Sequence, residues 1–211
     1  MLLYYITDRA RFLGTESHRR KCLLRKIAEA AHAGVDYVQL REKDLPAREL
    51  ESLAQEAANA TRESRSKTRL LINSRTDIAL AAQADGVHLT SQDISPTDVR
   101  KIWHEAQGSA EPIIGVSCHT EAEVIEAERA SADFVVFGPV FEKRGAAEIL
   151  AVGTDELRKV CSYRIPVLAL GGITTENAHL CIEAGANGVA GIRLFQDNDV
   201  DAVVTKLRGS K

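Results

Sequence analysis

The chain alternates short, continuously apolar runs with longer amphipathic segments. Eight apolar runs are candidate strands, at residues 2–7, 36–40, 69–72, 86–89, 112–116, 134–137, 166–170 and 188–190. Continuous apolar character, rather than strict alternation, is typical of strands buried on both faces, as in a parallel sheet covered by helices. The pattern therefore predicts a chain built from repeated strand–helix units.

Helical periodicity occupies the segments between these runs. The helices predicted by name lie at residues 19–33, 47–62, 95–105, 121–130 and 176–184. Two of them carry start signals, because Pro96 follows Ser95 at a first helical position and Thr120 precedes Glu121 and Glu123. Strands and helices thus alternate along the whole chain.

The joints between helix and strand resemble one another. Each has a helix end with a glycine or small residue, a polar turn and then a strand, at residues 33–36, 84–86, 132–133 and 184–188. This repeat favours the α/β class and one (β/α)8 TIM barrel of the phosphate-binding type, forming a single domain over residues 1–211. An open doubly wound sheet is the competitor, but no G-x-G-x-x-G motif follows the first strand.

Composition excludes several classes of protein. The chain has 211 residues, of which 45% are hydrophobic and 27% are charged. Its net charge of −3 provides no positive electrostatic potential that would attract nucleic acid or an anionic membrane. Four scattered cysteines without a C-x-x-C pair indicate a reduced, cytoplasmic protein without structural zinc. We also expect no signal peptide and no membrane span.

Two glycine-containing loops follow the last two predicted strands. The strand predicted at residues 166–170 is followed by Gly171 and Gly172, and the strand predicted at residues 188–190 is followed by Gly191 and Ile192. Glycine lets backbone N–H groups approach a ligand closely, and in such barrels phosphate usually lies between these two loops. A tight strand-to-helix turn explains either loop alone, whereas the two together favour a phosphate site.

Cationic residues follow the second predicted strand. Alternation would send Gln39, Arg41 and Lys43 to one face at the barrel mouth, where three hydrogen-bond donors suit a diphosphate. The competing interpretation is a surface Arg-Glu-Lys run paired within itself. Its position at a strand end favours the ligand role.

Two further candidates follow the fourth and fifth strands. Asp93 could hold Mg²⁺ together with substrate phosphate, although an aspartate just before a helix is often a turn or cap residue. His119 could move a proton near neutral pH, although a lone histidine at a strand end is more often a hydrogen-bonded wall.

Together these positions make the chain resemble the thiamine-phosphate synthase family, including its TenI branch, over nearly the whole length. The matching landmarks lie, in order, at residues 7–8, 39–43, 71–73, 84–89, 92–93, 115–120, 137–140, 169–173 and 184–190. No single motif is specific, and the resemblance rests on their order at barrel-loop positions.

The resemblance implies a joining reaction between small phosphorylated pyrimidine and thiazole substrates. Hydroxymethylpyrimidine diphosphate loses diphosphate, and the thiazole phosphate nitrogen captures the pyrimidine-methyl cation, while Mg²⁺ and cationic side chains neutralise the leaving group. By matching position, the pyrimidine diphosphate would be bound by Gln39, Arg41, Lys43, Asn73 and Ser117, Mg²⁺ by Asp93, and the thiazole phosphate by Gly171, Gly172, Gly191 and Ile192. Arg41 and Lys43 would thereby serve catalysis as well as binding.

Two departures from the synthase pattern keep alternatives open. Ser74 stands where synthases usually have a second metal-binding aspartate. The loop at residues 141–147 lacks the Pro-Thr-x-Thr-Lys sequence of the synthases, so that Lys143 or Arg144 could only approximately replace the lysine of that sequence. Both features resemble the TenI branch. That branch includes a thiazole tautomerase that needs neither diphosphate nor metal, with the histidine matching His119 as acid and base.

The retained Arg41, Lys43 and Asp93 favour the synthase over the tautomerase, because a tautomerase has no diphosphate to bind. A third interpretation is a non-catalytic homologue that binds thiamine precursors or has a regulatory role. Barrels of this size often pair through helix faces, so a homodimer is one possible assembly, although the sequence does not define the oligomeric state.

Overall fold

Eight parallel strands close into a barrel in sequence order. The computed structural model describes residues 1–64, 66–142 and 150–209. The strands are β1 (Leu2–Ile6), β2 (Tyr37–Leu40), β3 (Arg69–Asn73), β4 (Gly86–Thr90), β5 (Ile113–Cys118), β6 (Phe134–Phe137), β7 (Val167–Leu170) and β8 (Gly188–Gly191). Because β1 pairs with β8 as well as β2, the barrel closes without an open sheet edge. The predicted TIM barrel is confirmed, and the open sheet is wrong.

Helices lie between the strands. They are α1 (Glu16–His32), α2 (Ala47–Glu63), α3 (Thr76–Ala81), α4 (Pro96–Gln107), α5 (Glu121–Arg129), α6 (Gly153–Val160), α7 (Ala178–Glu183), α8 (Arg193–Gln196) and α9 (Val200–Gly209), with a 3-10 turn at Arg9–Arg11. All five helices predicted by name are present. Helix α1 begins three residues before the predicted start at residue 19, because the Thr15 side chain caps it by accepting from the His18 N–H.

Both predicted start signals form. The Ser95 hydroxyl accepts from the Asp98 N–H with Pro96 at the start of α4. Thr120 and Glu123 form a reciprocal capping box at α5, which satisfies two N–H groups that the helix leaves unpaired. These caps fix where the loops after β4 and β5 end.

The apolar core has two layers separated by the strands. An inner cluster fills the barrel with Tyr4, Ile6, Leu71, Phe134, Val136, Leu168 and Ala190, and an outer cluster lies between strands and helices. Along β1 the residues alternate, so that Tyr4 belongs to the inner cluster whereas Leu3 and Tyr5 belong to the outer one. Burial on both faces explains why the strands read as continuously apolar.

None of the helices within the described ranges has the length and apolarity that a bilayer-crossing segment needs. The four cysteines, Cys22, Cys118, Cys161 and Cys181, are all free thiols.

Candidate active site

The carboxyl ends of the eight strands lie at one end of the barrel, which we call the barrel mouth. The loops at this end are where barrels of this kind carry their ligands, because they can vary without disturbing the packed strands. The described candidates lie on these loops or within the last two residues of a strand, as Gln39, Asn73, Ser117 and Gly191 do.

A chain of hydrogen bonds crosses the barrel interior. The Gln39 Nε2 atom lies 3.0 Å from the Tyr4 hydroxyl oxygen, which lies 3.1 Å from His88 Nδ1. The other ring nitrogen of His88, Nε2, lies 2.8 Å from the Ser117 hydroxyl. Gln39, Tyr4 and His88 are buried, whereas Ser117 is half-buried. We call these four residues the interior chain. It links two predicted substrate-binding residues, Gln39 and Ser117, through two that sequence reasoning did not assign.

The interior chain consists of neutral groups. Burial lowers the pKa of His88 from its ordinary value to about 3, since a buried imidazolium would lose its hydration; the positive charge of Arg41 acts in the same direction, and Asp93 opposes it. Burial also raises the pKa of Tyr4. At neutral pH each of these two side chains therefore carries one proton on its polar atoms.

The loop after β2 is anchored by Glu42. The Thr7 hydroxyl donates to Glu42 Oε1 at 2.6 Å, and Arg9 Nη1 donates to Glu42 Oε2 at 3.1 Å. The Arg9 guanidinium also holds Asp44 with two hydrogen bonds of 2.7 and 2.9 Å. Arg9 and Glu42 are both 5% exposed, so this is a buried ion pair that joins the loops after β1 and β2.

The Glu42 anchor leaves a cation on each side of it. Arg41 is half-buried and Lys43 is exposed, and neither side chain forms a hydrogen bond or ion pair with any described residue. The competing interpretation of a run paired within itself is therefore wrong, because Glu42 pairs with Arg9. Strand β2 ends at Leu40, so Gln39 lies on the strand and the two cations lie on the loop after it, and their position on one face stays a prediction.

Ser74 and Asp93 meet between the loops after β3 and β4. The Ser74 hydroxyl donates to Asp93 Oδ2 at 2.7 Å, and the same oxygen accepts from the N–H of Thr90 at 2.7 Å and from its hydroxyl at 3.0 Å. Asn73 Nδ2 donates to the Ser74 hydroxyl at 3.1 Å. Asp93 therefore has the turn role that the sequence left open, while Oδ1 accepts no hydrogen bond from the described residues.

The donor set here suits a metal ion only in part. Within the described ranges, no group of three or more His, Cys, Asp or Glu side chains is arranged to hold a metal. Mg²⁺ is usually held by one or two carboxylates together with substrate phosphate oxygens. Among the described residues Asp93 supplies one carboxylate here, which fits a metal ion whose other oxygen ligands come from a bound molecule.

A hydrogen bond to a backbone carbonyl fixes the tautomer of the neutral His119 ring. Its Nδ1 atom lies 2.6 Å from the carbonyl oxygen of Gly138. A carbonyl oxygen only accepts, so Nδ1 carries the hydrogen and Nε2 carries the lone pair. The side chain is exposed, and its backbone N–H donates to Glu123 at 2.6 Å. The neutral His119 ring therefore presents an acceptor lone pair at Nε2.

The glycines after β7 are required by a neighbouring loop. Gly171 and Gly172 have φ angles of 98° and 64°, in the region that favours glycine. A Cβ at Gly171 would lie 2.4 Å from the Cβ of Pro139, and one at Gly172 would lie 2.7 Å from the Glu142 carbonyl oxygen. The Phe141 N–H donates to the Gly171 carbonyl at 3.0 Å. These glycines thus let the loop after β6 pack on the loop after β7, a reason that the sequence did not reveal.

Backbone donors for an anion are nonetheless present. The N–H groups of Gly172, Ile173 and Ile192 donate to no acceptor among the described residues. Asn177 shapes this loop by donating from Nδ2 to the Gly172 carbonyl at 2.9 Å and accepting from the Thr174 N–H at 2.8 Å. N–H groups of this kind attract phosphate without a counter-charge.

Some of the sequence predictions lie elsewhere. Lys143 and Arg144 fall in residues 143–149, outside the described residues. Tyr4, His88, Arg9 and Glu42 had no predicted role. His88 gave the one usable signal, a polar residue in the middle of an otherwise apolar strand.

Comparisons with known proteins agree on one family. The sequence profile of TMP-TENI, described as thiamine monophosphate synthase, matches residues 3–195. A relative from Aquifex aeolicus is 40% identical over 92% of this chain and 96% of its own, and the thiamine-phosphate synthase of Syntrophomonas wolfei is 37% identical over 98% and 94%. The solved thiamine phosphate pyrophosphorylase of Pyrococcus furiosus superimposes with a TM-score of 0.79 at 32% identity, covering 99% of this chain and 94% of its own.

Proposed function

The chain belongs to the thiamine monophosphate synthase family, and we propose that it is itself a thiamine-phosphate synthase. This enzyme is a transferase that joins hydroxymethylpyrimidine diphosphate to thiazole phosphate and releases diphosphate. The substrates are small phosphorylated pyrimidine and thiazole compounds. Relatives that match nearly the whole length of the chain support this assignment.

The observation that carries the proposal is the pair of cations beside Glu42. Arg41 and Lys43 have no ionic partner among the described residues, although Glu42 lies between them in sequence and Asp44 is next to Lys43. Two unpaired cations at a barrel mouth lower the energy of a polyanion there. A diphosphate leaving group uses both of them, whereas a tautomerase substrate carries a phosphate for which the glycine loops already provide donors.

The proposed chemistry is a dissociative substitution at the pyrimidine methylene carbon. As the carbon–oxygen bond breaks, Arg41 and Lys43 neutralise the charge that develops on the leaving diphosphate, and the Ser117 hydroxyl and the Asn73 amide bind it. Backbone N–H groups of Gly172 and Ile192 hold the thiazole phosphate, so that its ring nitrogen faces the cationic carbon. Holding both partners in this geometry makes their union effectively unimolecular.

Asp93 is the residue that would hold Mg²⁺. When bound, Mg²⁺ supplies further positive charge to the diphosphate oxygens. Ser74 donates its proton to Asp93, and a neutral hydroxyl is a weaker ligand than a carboxylate. The ion is therefore expected to bind together with diphosphate and only weakly alone.

A second candidate function, thiazole tautomerase, is favoured by one observation. The His119 Nδ1–H donates to the Gly138 carbonyl and leaves Nε2 as a base at the barrel mouth. A proton transfer that aromatises a thiazole carboxylate phosphate would need only this base and the glycine loops. Its substrate has no diphosphate and offers Arg41 and Lys43 only one carboxylate, which is why we rank it second.

Parallel assays on the purified protein distinguish the two functions. One assay supplies both synthase substrates with Mg²⁺ and measures thiamine phosphate, and the other supplies the thiazole carboxylate phosphate tautomer and measures aromatisation. We expect thiamine phosphate in the first assay. Its absence, with the protein folded and Mg²⁺ present, would contradict the synthase proposal, and aromatisation alone would support the tautomerase. A cytoplasmic location and a homodimer stay predictions.

A further inference from the structure

The buried interior chain contains two side chains that the proposed chemistry does not use, Tyr4 and His88. Both side chains are at most 2% exposed. His88 is hydrogen-bonded to Ser117, and Tyr4 is hydrogen-bonded to His88. A buried histidine with both ring nitrogens bonded has only two neutral arrangements, one for each tautomer. The choice between them decides which way the two hydrogen bonds of His88, to Tyr4 and to Ser117, point.

The two arrangements have opposite consequences for Ser117. If the hydrogen is on His88 Nε2, it donates to the Ser117 oxygen, and the Ser117 proton is free to donate into the barrel mouth. If the hydrogen is on Nδ1, Ser117 must donate to His88 Nε2, and only lone pairs face the mouth. Lone pairs repel a diphosphate, whereas a hydroxyl proton binds it.

The donor that begins the interior chain sets its direction. Gln39 donates from Nε2 to the Tyr4 oxygen, so the single Tyr4 proton is available to His88 Nδ1. Nδ1 then accepts, and the histidine proton is on Nε2, 2.8 Å from the Ser117 oxygen. In this order Tyr4 and His88 each accept one hydrogen bond and donate one, and neither carries a charge.

We propose that Tyr4 and His88 are positioning residues that hold Ser117 as a hydrogen-bond donor toward the leaving diphosphate. The inference rests on the proposed function for the identity of the ligand and on the interior chain for the direction of the bonds. Neither Tyr4 nor His88 contacts the substrate in this scheme. They act by fixing which atom of Ser117 carries a free proton.

The first test measures the His88 tautomer without any ligand. Nitrogen-15 NMR of the imidazole ring distinguishes the two neutral tautomers, and comparison of the wild type with His88→Gln assigns the signals among the six histidines of the chain. We expect the hydrogen on Nε2. A folded wild-type protein with the hydrogen on Nδ1 would overturn the proposal, whether or not the protein makes thiamine phosphate.

The second test breaks the interior chain at Tyr4. Tyr4→Phe removes one oxygen, and Tyr5→Phe is its matched control, because Tyr5 is an equally buried tyrosine on the same strand whose hydroxyl donates to Gln196 at 3.0 Å. We expect Tyr4→Phe to admit the second His88 tautomer and weaken binding of inorganic diphosphate by about tenfold. Binding of thiazole phosphate, and both affinities in Tyr5→Phe, should stay within about twofold of wild type.

The third test restores the donor in another form. His88→Gln retains an amide N–H near the position of Nε2, whereas His88→Leu retains none. Diphosphate affinity closer to wild type in the glutamine variant than in the leucine variant supports the proposal, and equal losses in both would overturn it. A wild type that shows the Nε2 tautomer yet forms no thiamine phosphate would refute the proposed function alone.

Discussion

The hydroxyl of Ser74 lies 2.7 Å from the carboxylate of Asp93 and donates a hydrogen bond to it. By resemblance to the synthases, a second carboxylate would stand at the serine position. The backbone there has a φ of 58°, which a non-glycine residue adopts only where its surroundings require it. Position 74 therefore presents a hydrogen-bond donor to Asp93 rather than a second carboxylate.

Replacing Ser74 by aspartate should create a resident metal site. Aspartate tolerates positive φ better than most residues, so the loop should keep its conformation. Two adjacent carboxylates attract Mg²⁺ more strongly than one, and we expect Ser74→Asp to bind Mg²⁺ without diphosphate at least about tenfold more tightly than wild type. Titration calorimetry with Mg²⁺ alone measures this.

Ser74→Ala is the matched control for that variant. It removes the hydrogen bond without adding charge and should leave Mg²⁺ binding weak. If wild type and both variants bound Mg²⁺ alone with the same affinity, Asp93 and position 74 would not form the metal site.

The buried pair of Arg9 and Glu42 should matter more for stability than an exposed pair nearby. Arg9→Met leaves Glu42 buried with part of its hydrogen bonding lost, and breaking a buried pair in this way costs about 3–5 kcal/mol. Arg11→Met removes a pair with Asp197 whose side chains are 36% and 41% exposed, and should cost about 1 kcal/mol or less. Urea unfolding compares the two variants. Equal losses would show that the buried pair does not anchor the loop.

The stability of the protein should depend on pH through His88. Its pKa in the folded state is about 3, below the ordinary value near 6.5, so the unfolded chain binds the extra proton between these pH values. The contribution of the neutral ring is fully present above about pH 6.5 and decreases as the pH falls toward about 3, by up to about 1.4 kcal/mol per pH unit.

The comparison with His88→Gln isolates this contribution, because carboxylates elsewhere titrate in both proteins. Free energies of unfolding measured from pH 4.5 to 7.5 should fall less steeply with acid in the variant. Parallel curves would mean that His88 titrates normally in the folded protein.

Gly171, after β7, and Gly191, at the end of β8, should respond differently to substitution. Gly171→Ala places a Cβ 2.4 Å from that of Pro139 at a φ of 98°, and should lose at least about 1–2 kcal/mol of stability. At Gly191 the nearest atom to a new Cβ is the Leu194 Cβ at 3.0 Å, so Gly191→Ala should fold and weaken thiazole phosphate binding. Unchanged phosphate affinity in folded Gly191→Ala would remove this loop from the site.

The fold was predictable because burial on both faces leaves a strong signal in every strand. Four of the five helices predicted by name have a capping side chain or a long apolar stripe, as Ser95 before α4 illustrates. Helices α3 and α7 have six residues each, too few for their periodicity to define both ends, and the start of α1 depended on the Thr15 cap.

The site was predictable only where strand ends meet the mouth. Arg9 and Glu42 lie 33 residues apart, and their pairing depends on the barrel bringing the loops after β1 and β2 together. Tyr4 looks like a core residue of an apolar strand, and the polar ring of His88 does not reveal its partners, because these hydrogen bonds join β1 and β4 to each other and to β2 and β5. The packing need for Gly171 comes from Pro139, which has no sequence signal near the glycine.

The most direct test of the synthase account compares Arg41→Met with His119→Asn in the thiamine phosphate assay. Asparagine keeps a donor near Nδ1 for the Gly138 carbonyl but removes the base at Nε2. Because each lost charge contact to the diphosphate costs about 1.5–3 kcal/mol, Arg41→Met should lower the rate by about tenfold or more, while His119→Asn stays close to wild type. A rate that survives Arg41→Met and is abolished by His119→Asn would contradict the account.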